Sequence, residues 1–203
     1  MLVIGLTGGI GTGKSEVARL LQSLGASVIS ADEVGHQAYT PNSESWHEVV
    51  NTFGKEILQP SGEIDRQELG AIVFSDPQQL EKLNAIMHPR MAGMVADRIQ
   101  VFRGQGVATV VVEAALLFEA GWDSLVDEVW TTDSPVELVI ERLQARNGMD
   151  EKEARRRIDS QMDRNERIER SNLVVDNSGD VATLEQTVNA LWDSRVNVRT
   201  ERG

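Results

Sequence analysis

The chain has no cysteine in 203 residues, which rules out disulfides and thiolate metal sites and is compatible with a reducing compartment. Histidine is scarce too: His36, His47 and His88 are scattered, and no spacing between them suggests a zinc site. No apolar run approaches the roughly 20 residues needed to cross a bilayer; the longest, at 107–112, is short and β-branched, as in a buried parallel strand. Nor is there an excess of positive charge. Against 32 acidic residues stand 20 basic ones, a net charge of −12, which disfavours DNA or RNA as the main ligand. Small anions are not excluded by this, because they are met locally.

What is present is concentrated at the N-terminus. Residues 8 to 15 read Gly-Gly-Ile-Gly-Thr-Gly-Lys-Ser, directly behind the apolar run Leu2-Val3-Ile4-Gly5-Leu6. Gly8, Gly13, Lys14 and Ser15 fill every fixed position of the G-x-x-x-x-G-K-[ST] pattern. The glycines let successive N–H groups converge on phosphate oxygens, and the following helix points its positive end at the same place. Lys14 supplies a mobile charge for the β/γ-phosphates, and the Ser15 hydroxyl is a ligand for Mg²⁺. The segment Gly8, Gly9, Ile10, Gly11, Thr12, Gly13, Lys14, Ser15 and Glu16 is therefore expected to hold a nucleoside triphosphate. The core strand starts almost at once, so no signal peptide is expected, and the protein is expected in the cytoplasm.

Five short apolar strands are predicted, at 2–6, 27–30, 107–112, 128–132 and 173–176. Helical patterns separate them, which predicts right-handed crossovers and a mostly parallel sheet covered on both faces. The stretch 41–103 is too long for one crossover and reads as a helical insertion broken near residues 60–62, 76–77 and 88–89. Within it, Asp65 reads as the cap of a helix over 66–74. Residues 147–170 form a charged helical hairpin with few large apolar residues, expected to be a mobile lid. The core would be 1–40, 104–146 and 171–193 of a single domain, and the polar tail 195–203 is expected to be loosely held.

Several further residues carry chemistry by position. Asp32 lies just past the second strand, where ligands of open parallel sheets gather. It can serve as the base for an attacking hydroxyl, help to hold Mg²⁺ through water, or cap a helix over 33–38. Arg142 and Arg146 share a helix face, set either to neutralise a transferring phosphoryl or to pair with Glu137 and Glu141 in solvent. For Arg155, Arg156 and Arg157 the solvated reading leads. Glu113 ends the third strand and is either a carboxylate ordering a metal's water shell or a turn residue, and with Asp32 it is also kept as a substrate contact. Asn177 and Gly179 follow the fifth strand, where a loop can embrace an adenine ring. His88 is expected at a helix boundary and is kept as a substrate contact.

Together these segments resemble the dephospho-CoA kinase family, whose loop typically reads LTGGIGSGKS. The resemblance runs from 6–15 through Asp32 after Ala31, His88-Pro89, Leu116-Leu117-Phe118-Glu119, Arg142-Leu143 with Arg146, and Arg157-Ile158 with Gln161 to Asp176-Asn177-Ser178-Gly179. It implies an α/β fold: a P-loop nucleoside- or nucleotide-kinase-like three-layer sandwich with a five-stranded parallel sheet, a helical insertion and a lid. It also implies transfer of the γ-phosphoryl of ATP to the 3′-hydroxyl of dephospho-CoA, with Mg²⁺ on Ser15. By the same resemblance Asp32 is the base and Lys14, Arg142 and Arg146 are catalytic. The insertion shapes the acceptor site, and Asn177 and Gly179 flank the adenine. The expected partners are these two small molecules, without nucleic acid or membrane, in a monomer or weak homo-oligomer. Three positions depart from the family pattern: Glu16 for a common threonine, Ala115 for proline, and Ser171-Asn172 for Ala-Asp. A different kinase of the same architecture and a non-catalytic ATP sensor are the rival readings. A GTP switch is a poor one, since neither N-K-x-D nor D-x-x-G after the third strand is present.

Overall fold

The computed structural model describes residues 1–197. Its five strands are β1 (Leu2–Gly8), β2 (Ser27–Ser30), β3 (Thr109–Glu113), β4 (Glu128–Asp133) and β5 (Leu173–Asp176). They form a parallel sheet in the order β2-β3-β1-β4-β5. β1 is central and buried along its whole length, because both faces of a parallel sheet are covered. On one face Leu2, Ile4, Leu6, Val111, Trp130 and Val175 meet α1 (Lys14–Ser23) and α9 (Val181–Trp192) through Val17, Leu21, Leu184 and Val188. On the other face Gly5 leaves room for Leu117 and Val126; a Cβ there would lie 2.7 Å from Leu117 Cδ1. Three strands extend past the predicted ends: β1 reaches Gly8, β3 reaches Glu113 and β4 reaches Asp133. β3 begins two residues late, at Thr109.

The chain divides into two compact units, one of Met1–Ile29 with the chain from Ile99 onward, the other of Ser30–Arg98. The second unit is helical: α2 (Ala31–Ala38), α3 (Glu44–Phe53), α4 (Arg66–Ser75) and most of α5 (Pro77–Gly104). Asp65 caps α4 as expected, accepting from the amides of Gln67 and Glu68. The predicted break at His88-Pro89 does not occur. Pro89 lies inside α5, where its missing N–H strands a carbonyl and would ordinarily end a helix. Packing overrides that penalty, since Leu80, Leu83, Met87, Met91 and Met94 form one apolar stripe against Val49, Phe53, Ile57 and Leu69.

The remaining helices belong to the first unit: α6 (Val136–Asn147), α7 (Glu151–Asp159) and α8 (Arg164–Arg170). The hairpin of α7 and α8 is charged as expected, and only Ala154 of α7 is buried. It is nonetheless fastened to α6, where Val139, Ile140 and Leu143 pack with Ala154, Ile158 and Met149. After α9 a π-helical turn, Asp193–Asn197, buries Val196 in the core. The start of the tail is thus anchored; residues 198–203 of the expected loose tail lie outside the described residues.

One departure from the family pattern has a structural account. Asn172 exchanges two hydrogen bonds with Val129: its amide N–H donates to the Val129 carbonyl at 2.8 Å, and its Oδ1 accepts from the Val129 N–H at 2.7 Å. An acceptor is required at that position, and an amide oxygen serves as a carboxylate would. Asn172→Ala should therefore cost about 1–3 kcal/mol by stranding a donor. Asn172→Asp should unfold at nearly the wild-type denaturant midpoint; an equally destabilised Asp variant would refute the acceptor account.

Candidate active site

The register places the ends of β1, β3, β4 and β5 along one edge: Leu6 lies beside Glu113, Gly8 beside Thr132, and Asp133 beside Asp176. The loop 8–13 leaves from there. A Cβ on Gly8 would lie 2.0 Å from Thr132 Oγ1, so the chain can pass β4 this closely only as glycine. Thr12 is buried, donates its hydroxyl to the Gly9 carbonyl at 2.8 Å, and lies 2.7 Å from Thr132 Oγ1. Gly13 turns the chain into α1 with φ 92°, a left-handed angle that side chains resist. A Cβ at Gly13 would also lie 2.1 Å from Asn177 Nδ2.

Seven helices, α2, α3, α4, α5, α7, α8 and α9, begin with a side-chain oxygen cap, from Ser30, Ser43, Asp65, Asp76, Asp150, Asp163 and Asp180, whereas α6 starts at Pro135 without one. α1 lacks one too: no side chain caps it at Gly13. Its first amides and its positive end are therefore available to an anion. Lys14 and Ser15 stand at that end. The Ser15 hydroxyl donates to Glu113 Oε1 at 2.7 Å, and Lys14 Nζ lies 3.7 Å from the same oxygen. Glu113, read as a substrate contact or a water-ordering carboxylate, thus joins the loop cluster directly. Glu16 turns away to Arg19, 2.6 Å off; that hydrogen bond above all holds the Glu16 carboxyl below its usual range. The repulsion that an inward carboxylate would exert on phosphate does not arise.

Asn177 is placed behind the loop. Its Nδ2 donates to the Thr12 carbonyl at 2.9 Å, and its own carbonyl accepts from Ser134 Oγ at 2.8 Å and from Arg142 Nη2 at 2.9 Å. Its side chain supports the loop from within. Gly179 follows in the turn before α9, with no room to spare beside Thr183. Arg142 is half-buried and also donates to Ser134 Oγ at 3.0 Å. Arg146, one helical turn on, is exposed and makes no hydrogen bond or ion pair among the described residues. The two arginines therefore stand in unlike surroundings despite their shared helix.

Asp32 and His88 belong to the second unit. The cap of α2 is Ser30, which accepts from the Glu33 amide, so the reading of Asp32 as a cap is corrected: the helix starts two residues earlier than 33. Asp32 sits exposed in the first turn with no hydrogen bond or ion pair among the described residues. His88 is half-buried in mid-helix rather than at a helix boundary. The same unit holds a cavity of about 540 Å³ lined by Tyr39, Gln59, Asp65 and Arg66, with the Arg66 guanidinium 5.4 Å over the Tyr39 ring.

A second cavity, of about 350 Å³, opens beside the loop in the first unit, between Gly9, Ile10 and Thr12 on one side and the α7–α8 segment on the other. There Gln161 Oε1 accepts from the Ile10 N–H at 2.8 Å. Arg164 is tied to Asp133, its Nε donating at 2.8 Å. Arg167 projects from α8 into the same place and is buried. Sequence reasoning singled out neither Arg164 nor Arg167, because both lie in a charged run that reads as solvated surface. Arg155, Arg156 and Arg157 do behave that way, bridging to Glu151 and Glu153; Arg156 first and then Arg157 hold the Glu153 carboxyl down to about 2.

The model of the family described as dephospho-CoA kinase matches residues 2–183. The chain belongs to the dephospho-CoA kinase family. A dephospho-CoA kinase of Carboxydothermus hydrogenoformans is 43% identical over 190 residues, 93% of this chain and 92% of its own. Among solved structures, a Thermus thermophilus protein superposes with a TM-score of 0.79 at 31% identity, covering 96% of this chain and 97% of its own. The dephospho-CoA kinase of Campylobacter jejuni gives 0.75 at 26% identity, covering 97% and 98%. The family's P-loop kinase fold and ATP-dependent transferase class therefore hold for this chain.

The support given by Asn177 to the loop predicts a separable effect. Asn177→Ala should weaken ATP binding about 3- to 10-fold, as expected for one lost hydrogen bond worth about 1 kcal/mol, without removing any group that touches adenine. Titrating ATP and adenosine separately checks this: equal losses for both would mean that Asn177 contacts the base instead.

Proposed function

We infer that this protein is a dephospho-CoA kinase that transfers the γ-phosphoryl of ATP to the 3′-hydroxyl of dephospho-CoA, giving CoA and ADP. The observation that carries the reading is the uncapped start of α1, framed by Lys14 and Ser15, in a chain matched by the family over residues 2–183. The loop amides 8–16 hold the triphosphate and Lys14 follows its charge. Ser15 and Glu113, two oxygen donors that share one hydrogen bond, suit Mg²⁺, which keeps most of its waters and takes few protein ligands. The metal would neutralise charge developing between the β- and γ-phosphates.

Asp32 accepts the proton of the 3′-hydroxyl as its oxygen attacks phosphorus and the bond to the ADP oxygen breaks. Its exposure and lack of a partner support that role. Arg142 and Arg146 are assigned to charge stabilisation, Arg146 by moving in with the lid. His88 and the cavity beside Tyr39 and Arg66 are assigned to the acceptor; Gly179 and the Asn177 backbone border the adenine. The protein acts as a monomer or weak homo-oligomer in the cytoplasm, on small molecules and not on nucleic acid or membrane. The acidic charge and the absence of cysteine support this, and among the described residues no helix is long and apolar enough to cross a membrane.

ADP release in Mg-ATP with dephospho-CoA, beside adenosine, AMP, pantothenate and shikimate, tests the reading: turnover should be confined to dephospho-CoA. Turnover on another acceptor would discard the acceptor assignment and keep the chemistry. Asp32→Asn should lower turnover about 10²- to 10⁴-fold with ATP binding retained, and a wild-type rate would remove Asp32 as the base. Lys14→Ala should lower transfer about 10²- to 10³-fold with a near-normal melting temperature; a large melting drop with activity kept would reverse that assignment.

A further inference from the structure

The arginines of the α7–α8 hairpin are, with one exception, tied to carboxylates. Arg155 pairs with Glu151, Arg156 and Arg157 with Glu153, Arg164 with Asp133, and Arg170 with Asp123 and Glu166. Arg167 is the exception. It is 7% exposed, the most buried arginine among the described residues, yet no carboxylate lies within ion-pair distance of it. Its Nη2 donates to the Met162 carbonyl at 2.8 Å. Its Nε is fully buried and donates to nothing among the described residues.

A buried guanidinium without a counter-ion is costly, and a buried donor without an acceptor adds to the cost. Burial accordingly pulls the Arg167 guanidinium below its ordinary range, with Glu119, Asp133, Asp163 and Glu166 opposing only from a distance. The direction in which the group points gives the cost a purpose. Nη1 lies 3.3 Å from where a Cβ of Gly9 would stand, so the cation rests on the phosphate loop itself, at the cavity that also contains Ile10 and Thr12. Nearby, Gln161 Oε1 sits on the Ile10 amide, showing that an oxygen acceptor fits in this place.

We propose that Arg167 is a phosphate-binding residue, whose guanidinium takes an oxygen of the nucleotide's phosphate chain from the side opposite the loop amides. The anion supplies the counter-ion that the chain withholds, and it needs an arginine because the planar fork offers Nε–H and Nη–H together. The proposal rests on the loop's being a triphosphate site. It extends that reading to a residue outside the loop motif.

The test is calorimetric binding of ATP, ADP and adenosine to the wild type and to Arg167→Met, Arg167→Lys and Arg156→Met, with the melting temperature of each without nucleotide. Arg167→Met keeps length and apolar stem. It should bind ATP roughly 10- to 100-fold more weakly, the range for a lost hydrogen bond to a charged group, while adenosine binding stays within about twofold. Its nucleotide-free melting temperature should hold or rise, because the variant removes an uncompensated buried charge. Arg167→Lys should fall between, and Arg156→Met, on the outer face of the hairpin, should match the wild type. If Arg167→Met binds ATP normally, or loses ATP and adenosine equally while melting lower, Arg167 is a structural strut and the proposal fails. If the wild type binds no ATP, the triphosphate reading of the loop fails with it. A wild type that binds ATP but phosphorylates no acceptor would overturn only the proposed function, and the affinities would still decide on Arg167.

Discussion

The constraint on which the site depends is the unpaired start of α1. A helix leaves its first amides without partners, and most helices of this protein satisfy one of them with a serine or aspartate oxygen. At Gly13 that solution is withheld. A cap there would place an oxygen where a phosphate oxygen belongs, so the local stability a cap confers is given up for binding. Everything adjacent is compatible with that gap: glycines that bring the chain close to β4, a lysine and a serine at the helix start, and a glutamate turned outward to Arg19.

An unsatisfied loop has to be held by something other than its ligand, and the buried polar residues do this. Thr12 joins Thr132, Asn177 takes the Thr12 carbonyl, and Arg142 and Ser134 fix Asn177 in turn. Each of these bonds satisfies a buried group whose exposure to nothing would be costly. Together they fix the rear of the loop, so that the front can be left to the nucleotide. Positioning of this kind is what phosphoryl transfer chiefly asks of a protein.

The difference between front and rear also explains what could be read from sequence. The glycine loop, the cap at Asp65 and, to within two residues at their ends, the strands are local patterns, decided within a few residues, and they appear where the chain predicts them. Asn177 bonds to Thr12 across 165 positions, and nothing near Asn177 in the chain shows that its side chain points back. Arg167 shares its sequence surroundings with arginines that lie in solvent; only the fold distinguishes it. Pro89 misled in the opposite sense, because a strong local signal yields to an apolar stripe that packs on both sides of it. For Asp32 the cap alternative fails by two residues, a shift small in position and large in meaning. Placing the cap at Ser30 leaves the carboxylate unemployed by the helix.

Charge shows the same division. A net charge of −12 gives no hint of an anionic ligand, yet the bulk figure counts cations that the protein neutralises itself. Around the loop and the hairpin, Arg19, Arg155, Arg156, Arg157, Arg164 and Arg170 each have a carboxylate. Lys14 is held more loosely, 3.7 Å from a glutamate that Ser15 also engages. Arg142 and Arg167 donate only to neutral oxygens. Of the cations that border the loop, Arg142 and Arg167 are thus left uncancelled by any carboxylate, in a part-buried setting where water screens them least. An acidic surface far from the loop is screened by salt within about 10 Å, so it scarcely weakens that local field. Net charge reports on the protein's solubility; the buried and half-buried cations beside the loop report on its ligand.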